Sequence, residues 1–183
     1  LIRFGSPPAQ SAGRIERAEL WLVVRPAEST SYRPEGSRKA ASLDPIVQEA
    51  IKRWDETLHL TQTQMELLNQ VNFQIADLSG LTLAQTADNT ITLDSDAAGY
   101  GWFIDSTPGT NSEFARHNGK SDLFATSGSI ASGDMDLLTV VMHEFGHVLG
   151  FDDVTVFGQG TGIMDATLDA GEGEGLIYLA ATL

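Results

Sequence analysis

The stretch that most constrains this chain is "MDLLTVVMHEFGHVLGFDD", Met135–Asp153. Leu137, Leu138, Val140, Val141, Phe145, Val148 and Leu149 make it apolar on nearly every face, so it reads as a helix buried inside a domain. It is expected to be capped at or near Asp134 and to end at Gly150, where glycine lets the chain leave with positive φ. Two histidines and a glutamate interrupt the apolar surface. His143 and His147 stand one helical turn apart and project from one face, so both imidazoles can meet a single ion. Buried polar side chains need partners or a ligand, because desolvating them unpaired is costly. A catalytic zinc takes three protein ligands and keeps a fourth position for water, whose pKa it lowers from about 15.7 towards about 7. Glu144, next to the first histidine, is placed to take that water's proton and pass it to a leaving amine. A carboxylate follows the turn at Gly150, and both Asp152 and Asp153 are available.

The rest of the chain supplies a small α+β frame. Leu20–Val24 ("LWLVV") is a strand-like apolar run stopped by Pro26, and Ala27–Ser42 is polar and reads as a linker. "LDPIVQEAIKRWDETLHL" predicts a helix with Asp44 as cap, Pro45 in the first turn, and Ile46, Val47, Ala50, Ile51, Trp54 and Leu58 on one face. "LTQTQMELLNQ" predicts a second, shorter helix capped by Thr61. "VNFQIAD", "LTLAQT" and "TITL" alternate as strands, the last two forming a hairpin across "ADN". From Asp94 to Asp134 the sequence reads mainly as loop.

Composition excludes several function classes. The chain has 183 residues, 42 % hydrophobic and 20 % charged, which suits one soluble domain with a real core. No apolar run approaches the roughly 20 residues of a membrane span. No cysteine is present, which removes disulfides, thiol nucleophiles and Cys-ligated zinc. The net charge of −14 is concentrated after residue 60, where two Lys/Arg face seventeen Asp/Glu. Such a surface repels nucleic acid and suits cations. The opening "LIRFGSPPAQ" has no initiator Met and no secretory pattern, so the chain reads as a piece of something longer.

His143–Asp153, H-E-x-x-H-x-x-G-x-x-D, resembles the extended zinc motif of the metzincin metallopeptidases, in its matrixin-like and snapalysin-like branches. The latter end the motif in Asp rather than His. The resemblance implies that Asp153, ten residues after His143, is the third ligand, with Asp152 its neighbour. It implies that "GIMDA" carries the methionine turn at Met164. "GLTLAQT" resembles the edge strand that in matrixins pairs with extended substrate, which puts Leu81, Thr82, Leu83, Ala84 and Gln85 in a substrate-binding role. Gln85 stands where matrixins have a histidine ligand of a second, structural zinc, which puts that ion in question. "DAAGYGWFIDSTPG" is similar to matrixin-like modules of large bacterial secreted or surface proteins.

The expected fold is therefore α+β and zincin-like, a small twisted mixed sheet with an antiparallel edge strand plus two long helices. Residues 1–42 are expected to be an N-terminal strand and linker partly packed on the domain, and residues 43–183 the catalytic domain. The implied activity is a zinc-dependent endopeptidase with one catalytic zinc, Glu144 as general base and acid, and a protein or peptide substrate, acting extracellularly or at a bacterial surface. Alternatives are a self-processing domain and a non-catalytic zinc module of a large adhesin. Asp94, Asp96 and Asp105 are candidate calcium ligands. The remaining candidates are structural: His59 as a helix-end cap, His117 in a loop, and Tyr100, Trp102 and Phe103 as a hydrophobic plug. Tyr178 is a conceivable oxyanion donor without positional support.

Overall fold

A computed structural model describes residues 20–24, 43–116, 123–154 and 162–173. The expected linker, His117 and Tyr178 lie outside the described residues. In chain order the main elements are β1 (Leu20–Val24), α1 (Asp44–Leu58), α2 (Gln62–Asn69), β2 (Asn72–Ala76), β3 (Thr82–Ala87) and β4 (Thr90–Asp94). The short strands β5 (Trp102–Phe103), β6 (Phe114–Arg116), β7 (Leu123–Ala125) and β8 (Met135–Asp136) lead into α3 (Leu137–Leu149). The strands β9 (Thr167–Leu168) and β10 (Glu172–Gly173) follow it.

α3 is the hub. It packs against α1, α2, β3 and β1, and every residue from Leu137 to Val148 is buried. This is what its all-round apolarity requires. Asp136 caps it, accepting the Thr139 N–H at 3.1 Å and the Thr139 hydroxyl at 2.6 Å. The sequence expects the cap at or near Asp134, and it falls two residues later, at Asp136. Gly150 ends the helix at φ 97°. α1 presents Ile46, Ala50, Ile51 and Trp54 to the core, as its periodicity predicts. Its first turn differs from expectation: Asp44 lies inside the helix, Leu43 is the N-cap, and no side chain caps it. His59 closes α1 in the left-handed region at φ 52°. Thr61 and Gln64 form a reciprocal capping box on α2.

The main sheet has the order β2-β4-β3-β1-β9. β2 runs parallel to β4, and β1 parallel to β9, while β3 is antiparallel to both of its neighbours. The sheet is thus mixed, with β3 as its reversed strand, and β3–β4 is the expected hairpin. The position of β3 differs from expectation. It is not an edge, because β1 covers its outer side from Leu20↔Thr86 to Val23↔Thr82. Sequence alternation identifies a strand but not its neighbours, and these partners lie some sixty residues apart.

The Asp-rich stretch after β4 is a loop held by its own carboxylates. Ala97 and Ala98 adopt positive φ (57° and 55°). Asp94 pins that turn by accepting N–H bonds from Ala98 at 2.7 Å, Leu78 at 2.7 Å and Asp96 at 3.2 Å. Burial pushes the Asp94 carboxyl up, but these donors outweigh it and hold the group below its ordinary value. Asp96 accepts from the Gly99 N–H, and Asp105 from Thr107. The Trp102 indole donates to the Asp94 carbonyl at 2.8 Å, and Phe103 packs edge-on against Phe114. The three aromatics of this region belong to the packing, as expected. Among the described residues no helix follows α3, and no helix is long and apolar enough to cross a membrane.

Candidate metal centre

Three acceptor atoms converge at the C-terminal half of α3. His143 Nε2 and His147 Nε2 are 2.9 Å apart, and Asp153 Oδ1 lies 3.1 Å from the first and 3.3 Å from the second. The other face of each imidazole fixes its tautomer. Nδ1 of His143 is 2.8 Å from the Ile163 carbonyl, and Nδ1 of His147 is 2.9 Å from the Phe151 carbonyl. A carbonyl only accepts, so each Nδ1 carries the proton and donates. In a neutral ring this leaves Nε2 as a lone pair. Two lone pairs and a carboxylate oxygen then face one another, a donor set that could hold a cation. Among the described residues, His143, His147 and Asp153 are the one group of this kind able to hold a metal ion.

Charge in the site points the same way. Burial would push the Asp153 carboxyl up, but the neighbouring imidazoles of His143 and His147 drive it well below the usual carboxylate range. Burial would push the His147 imidazole down, yet the Asp153 carboxylate, the Phe151 carbonyl and the Glu144 charge together raise it. Each group favours positive charge at the convergence point.

Glu144 is fully buried beside this cluster. Its Oε2 accepts from the Thr86 hydroxyl at 2.6 Å, while its Oε1 has no hydrogen-bond partner. Asp153 Oδ1 likewise has no protein donor of acceptable geometry. Two orphaned carboxylate oxygens in one buried spot are costly unless something positive or protic meets them. Burial raises the Glu144 carboxyl, against the opposing influence of His143, Thr86 and His147. Its affinity for a proton is therefore enhanced. Thr86 is the residue that sequence reasoning missed. Its contact with Glu144 joins β3 to α3 across 58 positions, and the only signal was a hydroxyl at the end of an apolar alternating strand.

The surroundings hold these three side chains in place. Met164 lies under the helix: a Cβ on Gly146 would run into Met164 Sδ, with Met164 Cε at 2.9 Å and Trp54 Cζ2 at 3.2 Å. The turn at Ile163–Met164 serves two of them. The Ile163 carbonyl orients His143, and the Met164 carbonyl accepts the Val154 N–H at 2.7 Å, fixing the chain next to Asp153. On the other side Trp54 donates to the Met142 carbonyl at 2.9 Å and stacks on Phe151 at 5.5 Å, and Phe151 supplies the carbonyl that orients His147.

The structure thus brings together His143, Glu144, His147, Asp153 and Met164. Asp152 is exposed. Of the expected substrate strand, Thr82, Leu83 and Ala84 are buried, Gln85 is half-buried, and Leu81 is exposed just outside β3. Asp94, Asp96 and Asp105 do not form a ligand cluster among the described residues.

No curated protein and no solved structure matches the chain. A family model does: Matrixin (Peptidase_M10) matches residues 29–159, a span that includes the whole of His143–Asp153 and stops short of Met164. That span covers most of the chain, and the chain belongs to the matrixin family of zinc-dependent metallopeptidases.

Proposed function

We propose that this domain is a zinc endopeptidase in which His143, His147 and Asp153 hold the ion and Glu144 is general base and then general acid. The observation that carries the reading is the convergence of two Nε2 lone pairs and Asp153 Oδ1 beside the orphaned Oε1 of Glu144. A zinc ion held there supplies Lewis acidity, making a water acidic and polarising a carbonyl. Glu144 Oε1 faces that reaction as a free acceptor, takes the proton of the attacking water and returns it to the departing amine. Thr86 keeps the carboxylate pointed by holding its other oxygen. Asp153 would add to such a site a negative charge that a third neutral histidine would not. Extracellular or cell-surface action is part of this reading, on the strength of the family. Calcium is not, because Asp94, Asp96 and Asp105 spend oxygens on backbone N–H groups.

A purely structural zinc needs no general base, and Glu144 argues against that alternative. Glu144→Gln is expected to retain zinc, measured as metal per chain. It is also expected to lower cleavage of unrelated unfolded proteins by about 10²–10⁴-fold, the usual weight of a general base. Cleavage within tenfold of wild type would refute the mechanism. Cutting confined to the chain's own flanking sequence would instead mark a self-processing domain.

A further inference from the structure

One side chain of α1 reaches three points around the metal centre. Trp54 lies on the apolar face that also carries Ala50 and Ile51, and it is fully buried. A buried indole N–H needs an acceptor, and this one takes the Met142 carbonyl at 2.9 Å, 88 positions along the chain. Met142 is the residue before His143. The same indole reaches the residue before His147: a Cβ on Gly146 would stand 3.2 Å from Trp54 Cζ2. Its face stacks on Phe151, with ring centroids 5.5 Å apart and planes 10° from parallel. Phe151 is the first residue beyond Gly150, outside α3. Its N–H donates to the Gly146 carbonyl at 2.9 Å, and its own carbonyl accepts from His147 Nδ1 at 2.9 Å.

We propose that Trp54 is a positioning residue for the metal centre, and that through Phe151 it sets the aim of His147 Nε2. The inference rests on the reading of His143, His147 and Asp153 as the side chains that hold the ion. A histidine on a rigid helix still has its side-chain torsions free, so its ring is oriented by the hydrogen bond at the other nitrogen. For His143 that bond ends on Ile163, in the turn of Met164. For His147 it ends on Phe151, which belongs to no helix or strand. The Gly146 carbonyl anchors the main chain of Phe151, and the stack on Trp54 holds its ring. Asp153 is suspended between the two braces, two residues after Phe151 and one before Val154, which the Met164 carbonyl holds. Trp54 touches no reacting atom and acts only through the residues it packs against. Loss of its ring loosens one histidine, not both.

The test uses the full-length, zinc-loaded protein. Trp54→Leu and Phe151→Leu each remove the stack. Each is expected to raise the Kd for zinc, measured by competition with a chelating dye, about 10–100-fold, the usual weight of a group that orients a metal-binding histidine. The double variant is expected to bind no more weakly than the weaker single one, because both changes break one contact. Trp54→Phe, which keeps a flat ring, falls closer to wild type than to Trp54→Leu. Ile51→Ala opens a cavity on the same face of the same helix. It measures a merely structural loss, lowering Tm and leaving the Kd for zinc unchanged. NMR gives the direct readout, solvent exchange of the two imidazole Nδ1–H protons. In Trp54→Leu the His147 proton is expected to exchange at least about tenfold faster, while the His143 proton, bonded to Ile163, keeps its rate. Phe151 is only half-buried, so Phe151→Leu carries the same comparison if Trp54→Leu fails to fold. Additive losses in the double variant, an equal loss in Ile51→Ala, or faster exchange at both histidines would each overturn the brace and leave the peptidase reading intact. The expected pattern in a protein that cuts no peptide would keep the brace and sink the peptidase reading. A wild type that binds no zinc would sink both.

Discussion

Thr86 shows how much a single hydroxyl can set in a buried site. Replacing Thr86 with Val keeps the shape and the strand but leaves Glu144 Oε2 without its donor. The expected loss is about 1–3 kcal/mol, the cost of a buried acceptor left unpaired, read from the urea midpoint of the zinc-loaded protein. Thr86→Ser should recover most of it. The convergence of the two histidines was legible in the sequence, because i and i+4 on a helix fixes their common face. Thr86 was not, since its partner is set by how β3 lies across α3. The choice of Asp153 over Asp152 came from the family spacing rather than from the residues alone. The fold gives it a reason: Met164 holds Val154, which turns Asp153 towards the histidines and leaves Asp152 exposed.

Elements carry the next set of consequences, and α3 dominates them. Gly146 is the point where the helix rests on Met164, and a methyl group there would displace the thioether. Gly146→Ala is expected to cost about 1–3 kcal/mol by overpacking and to weaken zinc retention in a competition titration, because the displaced turn also orients His143. A variant as stable and as zinc-tight as wild type would show that Met164 is not a floor to the site. At the other end of α3, burial raises the Asp136 carboxyl to about 6, outweighing its bonds from Thr139 and the nearby charge of Arg53. The folded value lies above the ordinary 3.8, so the folded state binds the proton more tightly. The stability this lends is complete below about pH 4 and is lost as pH rises through about 6, roughly 3 kcal/mol at 1.36 kcal/mol per unit. Asp136→Asn should remove that decline, so its Tm relative to wild type rises between pH 4 and 7. A constant difference across that range would contradict it. Helices α1, α2 and α3 were readable from periodicity and turn signals. The short strands β5 to β10 were not, because two or three residues are too few for alternation to register.

At the scale of the molecule, a metal that binds only the folded form adds stability by mass action. Chelation is expected to lower Tm, with a loss of about 4 kcal/mol if zinc had stood at a thousand times its Kd. In Glu144→Gln the loss should be similar, since the ligands are untouched; an unchanged wild-type Tm on chelation would argue against the metal centre. The fold class was legible, through one motif and a family resemblance. The seat of β1 was not, for that strand's sequence says it is extended but not between which partners. That seat has a further consequence for colloidal behaviour. An open strand edge is a template for the next molecule, and withdrawing β1 would create two at once, on β3 and on β9. Each exposed edge would then invite intermolecular pairing, so the five residues of β1 also keep the protein from aggregating.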